Sequence, residues 1–322
     1  MTKDDLRIVF MGTPEFAVPT LRRLVEEGYN VVGVVTQPDR PVGRHGSVMQ
    51  PSAVKQYALS CGLPVLQPEK MKDETFLAQL RSLQANLQVV VAFRMLPEVV
   101  WDMPCYGTFN VHAALLPQYR GAAPINWAII NGETVTGVTT FFLDHDIDTG
   151  RIIAQRTFPI PDDADAEYVY NGLMMLGSDL CMETVEAIVS ADGHPATMAQ
   201  ETAEGQLLKP APKIFKETCQ IDWNKKARQI YNFVRGLSPA PGAWTVLVTP
   251  DGRETVLKIY RSHVTSHKSS DVGSISVVDR QLCISTADCL LAVDELQLAG
   301  KRRMSSRDFV NGMKDIEISR VK

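Results

Sequence analysis

Apolar residues in the first half of the chain fall in short unbroken runs separated by amphipathic stretches. Residues 6–11 form a run suited to a strand buried on both faces, and Gly12-Thr13-Pro14 ends it. Thr13 is placed to cap a helix over 15–27, with Pro14 at its first turn. A second apolar run covers 31–36. Strand, helix and strand within about thirty residues make a βαβ unit, which predicts a parallel sheet with a right-handed crossover. The alternation continues through a helix at 52–60, a strand at 64–66, a helix at 73–83 and strands at 87–93 and 108–111. Pro124 starts a short helix to Ile130, residues 138–143 form another buried strand, and residues 151–158 suit its hairpin partner. Asp165 then caps a long helix in which Val169, Leu173, Leu176, Leu180 and Ile188 share one face.

The pattern changes after residue 190. Residues 191–212 carry Gly193, Pro195, Gly205, Pro210 and Pro212 with little apolar period, and read as a linker. A helix at 225–235 and short strands at 243–248, 255–263, 272–278, 281–285 and 290–298 follow, then a last helix at 305–313. Short strands with turn signals predict a small antiparallel, OB-like β-barrel. The expectation is a Rossmann-like α/β domain at 1–190 and a barrel domain at 213–322. Within the first domain, residues 36–50 are too rich in Pro and Gly for regular structure and read as a long surface loop.

Length agrees with two domains, since 322 residues exceed the usual size of one core. Composition is that of an ordinary globular protein, 45% apolar and 22% charged. The acidic start MTKDDLRIVF resembles no export or import signal, and no apolar run reaches the length of a membrane span, so a cytoplasmic protein is expected. No stripe for self-association is visible, so a monomer is expected. The six cysteines are scattered without C-x-x-C pairs, which reads as reduced thiols rather than zinc or redox work. Net charge is −4 but uneven: residues 1–206 hold 14 Lys and Arg against 25 Asp and Glu, a net of −11, whereas residues 207–322 hold 19 against 12, a net of +7. A basic C-terminal third on an acidic body suits an accessory module for a polyanion.

Candidate chemistry concentrates between Gly107 and Gly150. Only one glycine sits in the first strand-to-helix turn, so the G-x-G-x-x-G cradle is absent and a nicotinamide or flavin is disfavoured. Asn110 and His112 lie two apart on a predicted strand, so both point to one face near its C-terminal end. A carboxamide donor beside an imidazole suits an oxyanion in acyl transfer, and Asp148 is the natural carboxylate to orient the histidine. The turn Asp144-His145-Asp146-Ile147-Asp148-Thr149-Gly150 is no calcium loop. Thr149 stands where that loop needs glycine and Gln155 where it needs glutamate, so no metal is expected. Ser52-Ala53-Val54-Lys55 fits S-x-x-K but lacks its companion motifs, and Ser52 reads as a helix cap.

In order and spacing, Asn110-Val111-His112, Leu115-Leu116-Pro117, Tyr119-Arg120-Gly121-Ala122-Ala123-Pro124 and Asp146-Ile147-Asp148-Thr149-Gly150 resemble the folate-dependent formyltransferases. Ile221-Asp222-Trp223, Pro241-Gly242-Ala243-Trp244 and Ala299-Gly300-Lys301 extend the resemblance into the C-terminal barrel, which formyltransferases acting on small amines lack or replace. The resemblance implies transfer of a formyl group from 10-formyltetrahydrofolate, a co-substrate, to the α-amine of methionine charged on initiator tRNA. It assigns Asn110, His112 and Asp148 to catalysis and Ala114, Leu115, Leu116 and Pro117 to the folate. Ala114 departs from the usual serine, and Phe93-Arg94-Met95-Leu96-Pro97 departs from the usual Tyr-Gly turn at the pterin pocket. For tRNA the expected contacts are Arg40, Arg44, Lys213, Lys216, Lys301, Arg302 and Arg303. The catalytic trio alone leaves open a small amine acceptor, such as glycinamide ribonucleotide or an amino sugar, and hydrolysis of the formyl folate.

Overall fold

The apolar runs of the first half become one seven-stranded sheet. The computed structural model describes residues 1–42, 48–201, 205, 207–312, 316 and 319–322, and these divide into two compact units. The first comprises residues 1–120, 137–158 and 170–209; the second comprises residues 121–136, 159–169 and 210–322.

In the first unit the strands are β1 (Ile8–Gly12), β2 (Val31–Val35), β3 (Arg40–Val42), β4 (Val48–Gln50), β5 (Val65–Leu66), β6 (Leu87–Val91), β7 (Thr108–His112), β8 (Val135–Phe142) and β9 (Ile152–Pro159). The main sheet has the order β5-β2-β1-β6-β7-β8-β9. Strands β5 to β7 are parallel in the ladders β2–β5, β1–β2, β1–β6 and β6–β7, and β8 runs antiparallel to β7. The chain therefore leaves β1 on one side and returns to it on the other, and in such sheets ligands meet the carboxyl ends of the strands. Every residue of β1 and of β6 is buried, as continuous apolar runs require of strands covered on both faces.

Helices supply the covers: α1 (Val18–Glu26), α2 (Ala53–Ser60), α3 (Glu74–Ser82), α4 (Glu98–Trp101) and, after α5 (Pro124–Ile130) of the second unit, α6 (Ala166–Ser190). Val9, Met11, Val35 and Val90 pack with Phe76, Leu77 and Leu80 of α3. Burying each such side chain contributes about 1.5–3 kcal/mol. Gly177 of α6 sits where a Cβ would come 3.1 Å from Val111, so the small residue lets the helix approach β7 closely. Ser52 caps α2 by accepting from the Lys55 amide, and Asp73 caps α3 in the same way.

Two local expectations fail. Thr13 makes no helix cap among the described residues: a short 3₁₀ turn over Glu15–Ala17 precedes α1, and the proline in the first turn of α1 is Pro19 rather than Pro14. Residues 36–50 are not wholly irregular, because β3 and β4 pair as an antiparallel hairpin with Pro41 opposite Met49. Proline is admitted there because a two-stranded ladder leaves outward positions whose N–H is not needed.

In the second unit α5 packs with α7 (Ala227–Leu237), where Asn126 Nδ2 donates to the Gly236 carbonyl at 2.7 Å. The strands are β10 (Ala243–Val248), β11 (Glu254–Lys268), β12 (Ile275–Val278), β13 (Gln281–Ser285), β14 (Cys289–Leu298), β15 (Met304–Ser305) and, after α8 (Ser306–Gly312), β16 (Arg320–Val321). Their order is β12-β13-β14-β11-β10-β16, with β15 on β14. Register breaks along β11 bend this long strand across the sheet. The ends meet where Val321 N donates to the Gly273 carbonyl at 2.8 Å. Gly273 has φ +78, and a Cβ there would lie 2.7 Å from Val321 O, so closure needs glycine. Trp223, Leu247, Leu257, Leu282 and Phe309 fill the core. Among the described residues no helix is long and apolar enough to cross a membrane.

Candidate active site

Strand β7 puts two polar side chains on one face, because Asn110 and His112 alternate with the apolar Phe109 and Val111. Its neighbours fix the register: Asn110 lies opposite Val90 of β6 and Phe141 of β8, and His112 lies opposite Thr139. His112 is buried, and its Nε2 lies 2.9 Å from the Tyr119 carbonyl oxygen. That oxygen only accepts, so Nε2 carries a hydrogen and the ring orientation is set. Nδ1 then faces Asp148, whose Oδ2 is 3.8 Å away. The Phe141 and His112 rings meet in a T-shaped pair with 6.3 Å between centroids. Asn110 is half-buried, and among the described residues its carboxamide has no hydrogen-bond partner.

Asp148 reaches this histidine because the chain after β8 turns tightly. The Asp144 carboxylate accepts from the His145 amide at 2.7 Å, and Thr149 Oγ1 donates to the Asp146 carbonyl at 3.1 Å. Phe142 N donates to the Arg151 carbonyl at 3.0 Å at the base of the turn. A Cβ at Gly150 would stand 1.7 Å from the Phe142 carbonyl oxygen, so only glycine allows this path. Asp148 itself has φ +55, a left-handed conformation that aspartate tolerates better than most residues. Among the described residues no three His, Cys, Asp or Glu side chains group to hold a metal ion.

The segment Ala114-Leu115-Leu116-Pro117 is held from below by two side chains that sequence patterns did not single out. Thr139 Oγ1 donates to the Ala114 carbonyl at 2.6 Å and accepts from the Leu116 amide at 3.1 Å. Gln155 Nε2 donates to the Leu116 carbonyl and to Thr139 Oγ1, both at 2.9 Å. In sequence Thr139 is an ordinary β-branched strand residue, and Gln155 has no local feature that sets it apart. Ala114 and Leu116 are buried, while Leu115 and Pro117 are half-buried and offer an apolar surface. In the 93–97 turn, Arg94 donates to the carbonyls of Pro68 and Glu69, and burial lowers its pKa.

The basic residues are spread over both units. In the first unit Arg40 is exposed on β3 and bonds Gln37, and Arg44 lies outside the described residues. At Asp39, which precedes Arg40 in the chain, the Lys55 ammonium and then Gln67 hold the carboxyl below its usual range. In the second unit Lys213, Lys216, Lys301, Arg302 and Arg303 are all exposed. They are not equivalent. Lys213 lies over the Phe215 ring, whereas Arg303 stacks 3.6 Å from the Tyr260 ring centroid with its Nε 3.7 Å from Glu295.

A buried histidine held on one nitrogen, a carboxylate at the other and a carboxamide on the same face can stabilise charge on a carbonyl oxygen and accept a proton. Comparison with known proteins identifies the family. The formyl transferase family model matches residues 6–185, and that of the formyl transferase C-terminal domain matches residues 213–314. The methionyl-tRNA formyltransferase of Parabacteroides distasonis is 60% identical over 320 residues, covering 98% of each chain. That of Bacteroides thetaiotaomicron is 55% identical over 317 residues, again covering 98% of each. A similar fold occurs in HypX from Aquifex aeolicus in complex with tetrahydrofolic acid, with a TM-score of 0.62 and 18% identity, covering 95% of this chain and 47% of that one. The chain belongs to the formyl transferase family.

Proposed function

We propose that this protein transfers a formyl group from 10-formyltetrahydrofolate to the α-amine of methionine on charged initiator tRNA. The observation that carries the reading is the half-buried Asn110 carboxamide, without a hydrogen-bond partner among the described residues, on the face that holds His112 against Asp148. The identity to methionyl-tRNA formyltransferases along the whole chain supports tRNA rather than a small amine as the acceptor.

In this reading the folate supplies the formyl group, and Leu115 and Pro117 offer it an apolar surface. Asn110 donates to the formyl oxygen as that atom gains negative charge. His112, with its Nε2 hydrogen committed to Tyr119, turns Nδ1 toward the reacting group and toward Asp148. The amine nitrogen forms a bond to the formyl carbon while the bond from that carbon to folate N10 breaks. Asp148 takes the proton that the amine sheds, and the proton ends on N10 of the departing tetrahydrofolate. No net redox change occurs.

The test is an assay of purified protein with formyl folate and charged initiator tRNA, beside uncharged tRNA, an amino sugar and water alone. Formyl-methionyl-tRNA as the sole product supports the reading. Equal turnover with the amino sugar, or release of formate without tRNA, overturns it.

A further inference from the structure

The stretch after α6, read from sequence as part of a linker, is built into the wall of the catalytic site. Met198 pairs with Ile152 at the start of β9 through two backbone hydrogen bonds of 2.8 Å. Arg151 adds bonds to the Thr197 hydroxyl at 2.7 Å and to its carbonyl at 2.9 Å. This short ladder delivers Gln200 to the turn that carries Asp148.

The Gln200 side chain uses both ends. Its Nε2 donates to the carbonyls of Asp148 at 2.9 Å and Gly150 at 2.8 Å. Its Oε1 accepts from Arg120 Nε at 3.1 Å and Nη2 at 2.7 Å. Arg120 follows Tyr119, whose carbonyl holds His112 Nε2 and whose amide donates to the Lys209 carbonyl at 2.7 Å. One carboxamide thus joins the turn on the Nε2 side of the histidine to the turn on its Nδ1 side. Both turns gain from outside support, because Tyr119 at φ +60 and Asp148 at φ +55 occupy the left-handed region, which non-glycine residues seldom adopt unaided.

We propose that Gln200 is a positioning residue for formyl transfer, which sets the separation of His112 and Asp148 by tying the Asp148 turn to Arg120. The proposal rests on the reading of His112 and Asp148 given above. Gln200 does not touch the reacting atoms and acts through the carboxylate it places. A misplacement of about 1 Å can lower turnover by about a hundredfold, which bounds the effect.

The experiment is a double-mutant cycle on the full chain with formyl folate and charged initiator tRNA, using Gln200→Ala and Asp148→Asn singly and together. Gln200→Met, nearly isosteric but without donors, serves as a second probe, and thermal unfolding checks that each variant folds. The expected result is a kcat loss of about ten- to a hundredfold for both Gln200 variants with KM nearly unchanged, and no further loss when Gln200→Ala is added to Asp148→Asn. The pH profile of kcat should also move in the single Gln200 variants, which a merely structural role would not produce. Wild-type kcat in folded Gln200→Ala and Gln200→Met, or a loss that adds in full to that of Asp148→Asn, overturns the proposal. Wild-type turnover in Asp148→Asn would instead overturn the underlying catalytic reading.

Discussion

The hydroxyl of Thr139 donates to the Ala114 carbonyl at 2.6 Å, so a residue on β8 holds the turn that follows the strand carrying Asn110 and His112. The same oxygen accepts from Leu116 N at 3.1 Å and from Gln155 Nε2 at 2.9 Å. Thr139→Val keeps the shape and removes this three-way junction, leaving buried backbone groups unsatisfied. The expected cost is about 1–3 kcal/mol of stability, read from denaturant unfolding. With the turn loosened, KM for formyl folate should rise more than kcat falls. An unchanged KM would show that the turn does not position the folate.

Asn110 separates catalysis from folding more cleanly. Its carboxamide has no hydrogen-bond partner among the described residues, so Asn110→Ala breaks no protein contact of that kind. Stability should stay within about 0.5 kcal/mol, as for substitutions away from packed or bonded features. Turnover should drop about a hundred- to a thousandfold, as when one oxyanion donor is removed. A drop confined to KM would mean that Asn110 binds the ground state and not the developing charge.

Much of this was legible in the chain. The apolar runs at 6–11 and 87–93 carry no polar alternation, and they became the fully buried β1 and β6. Asn110 and His112 share a face by strand period alone, and Gly150 marks the turn that returns Asp148. What the chain could not announce were partners chosen by tertiary contact. Thr139 is one of many β-branched strand residues, and Gln200 lies among linker residues, so nothing local separates them from neighbours. The hairpin of β3 and β4 was hidden for another reason, since proline and glycine content says where backbone is restricted and not whether two short stretches pair. The second unit also takes residues 121–136 and 159–169 from the first half of the chain, a partition that no linear composition shift marks.

Part of the acid sensitivity of the second unit should trace to Asp288. Asp288 Oδ1 accepts from the Ala227 amide at 2.8 Å, at the N-terminus of α7, and from the Cys289 amide at 3.0 Å. The Ala227 bond, ahead of those from Thr286 and Cys289, holds its pKa below the usual carboxylate value. A carboxylate depressed on folding stabilises the protein above its unfolded pKa, near 4, and the contribution is lost as pH falls through the folded value. Asp288→Ala should therefore lower the melting temperature at pH 7, by the loss of a helix cap of about 1 kcal/mol. The difference from wild type should shrink steadily below about pH 4. A gap that persists at pH 2 would assign the effect to packing.

Association with tRNA should follow counterion release, with log affinity falling linearly as log salt rises and a slope set by the number of phosphates neutralised. The five cations of the second unit expected to meet tRNA should contribute unequally. Arg303 already has its guanidinium over the Tyr260 ring and near Glu295, so engaging a phosphate means giving up contacts it holds. Lys213 is exposed, has no carboxylate partner within the ion-pair distance among the described residues, and lies against Phe215, itself exposed. Lys213→Ala should reduce the salt slope by about one, the signature of one lost phosphate contact. Arg303→Ala should leave the slope nearly unchanged while lowering stability slightly. Binding measured from low to moderate salt with charged initiator tRNA checks both, and equal slope changes in the two variants would show that the Tyr260 stack does not hold Arg303 back.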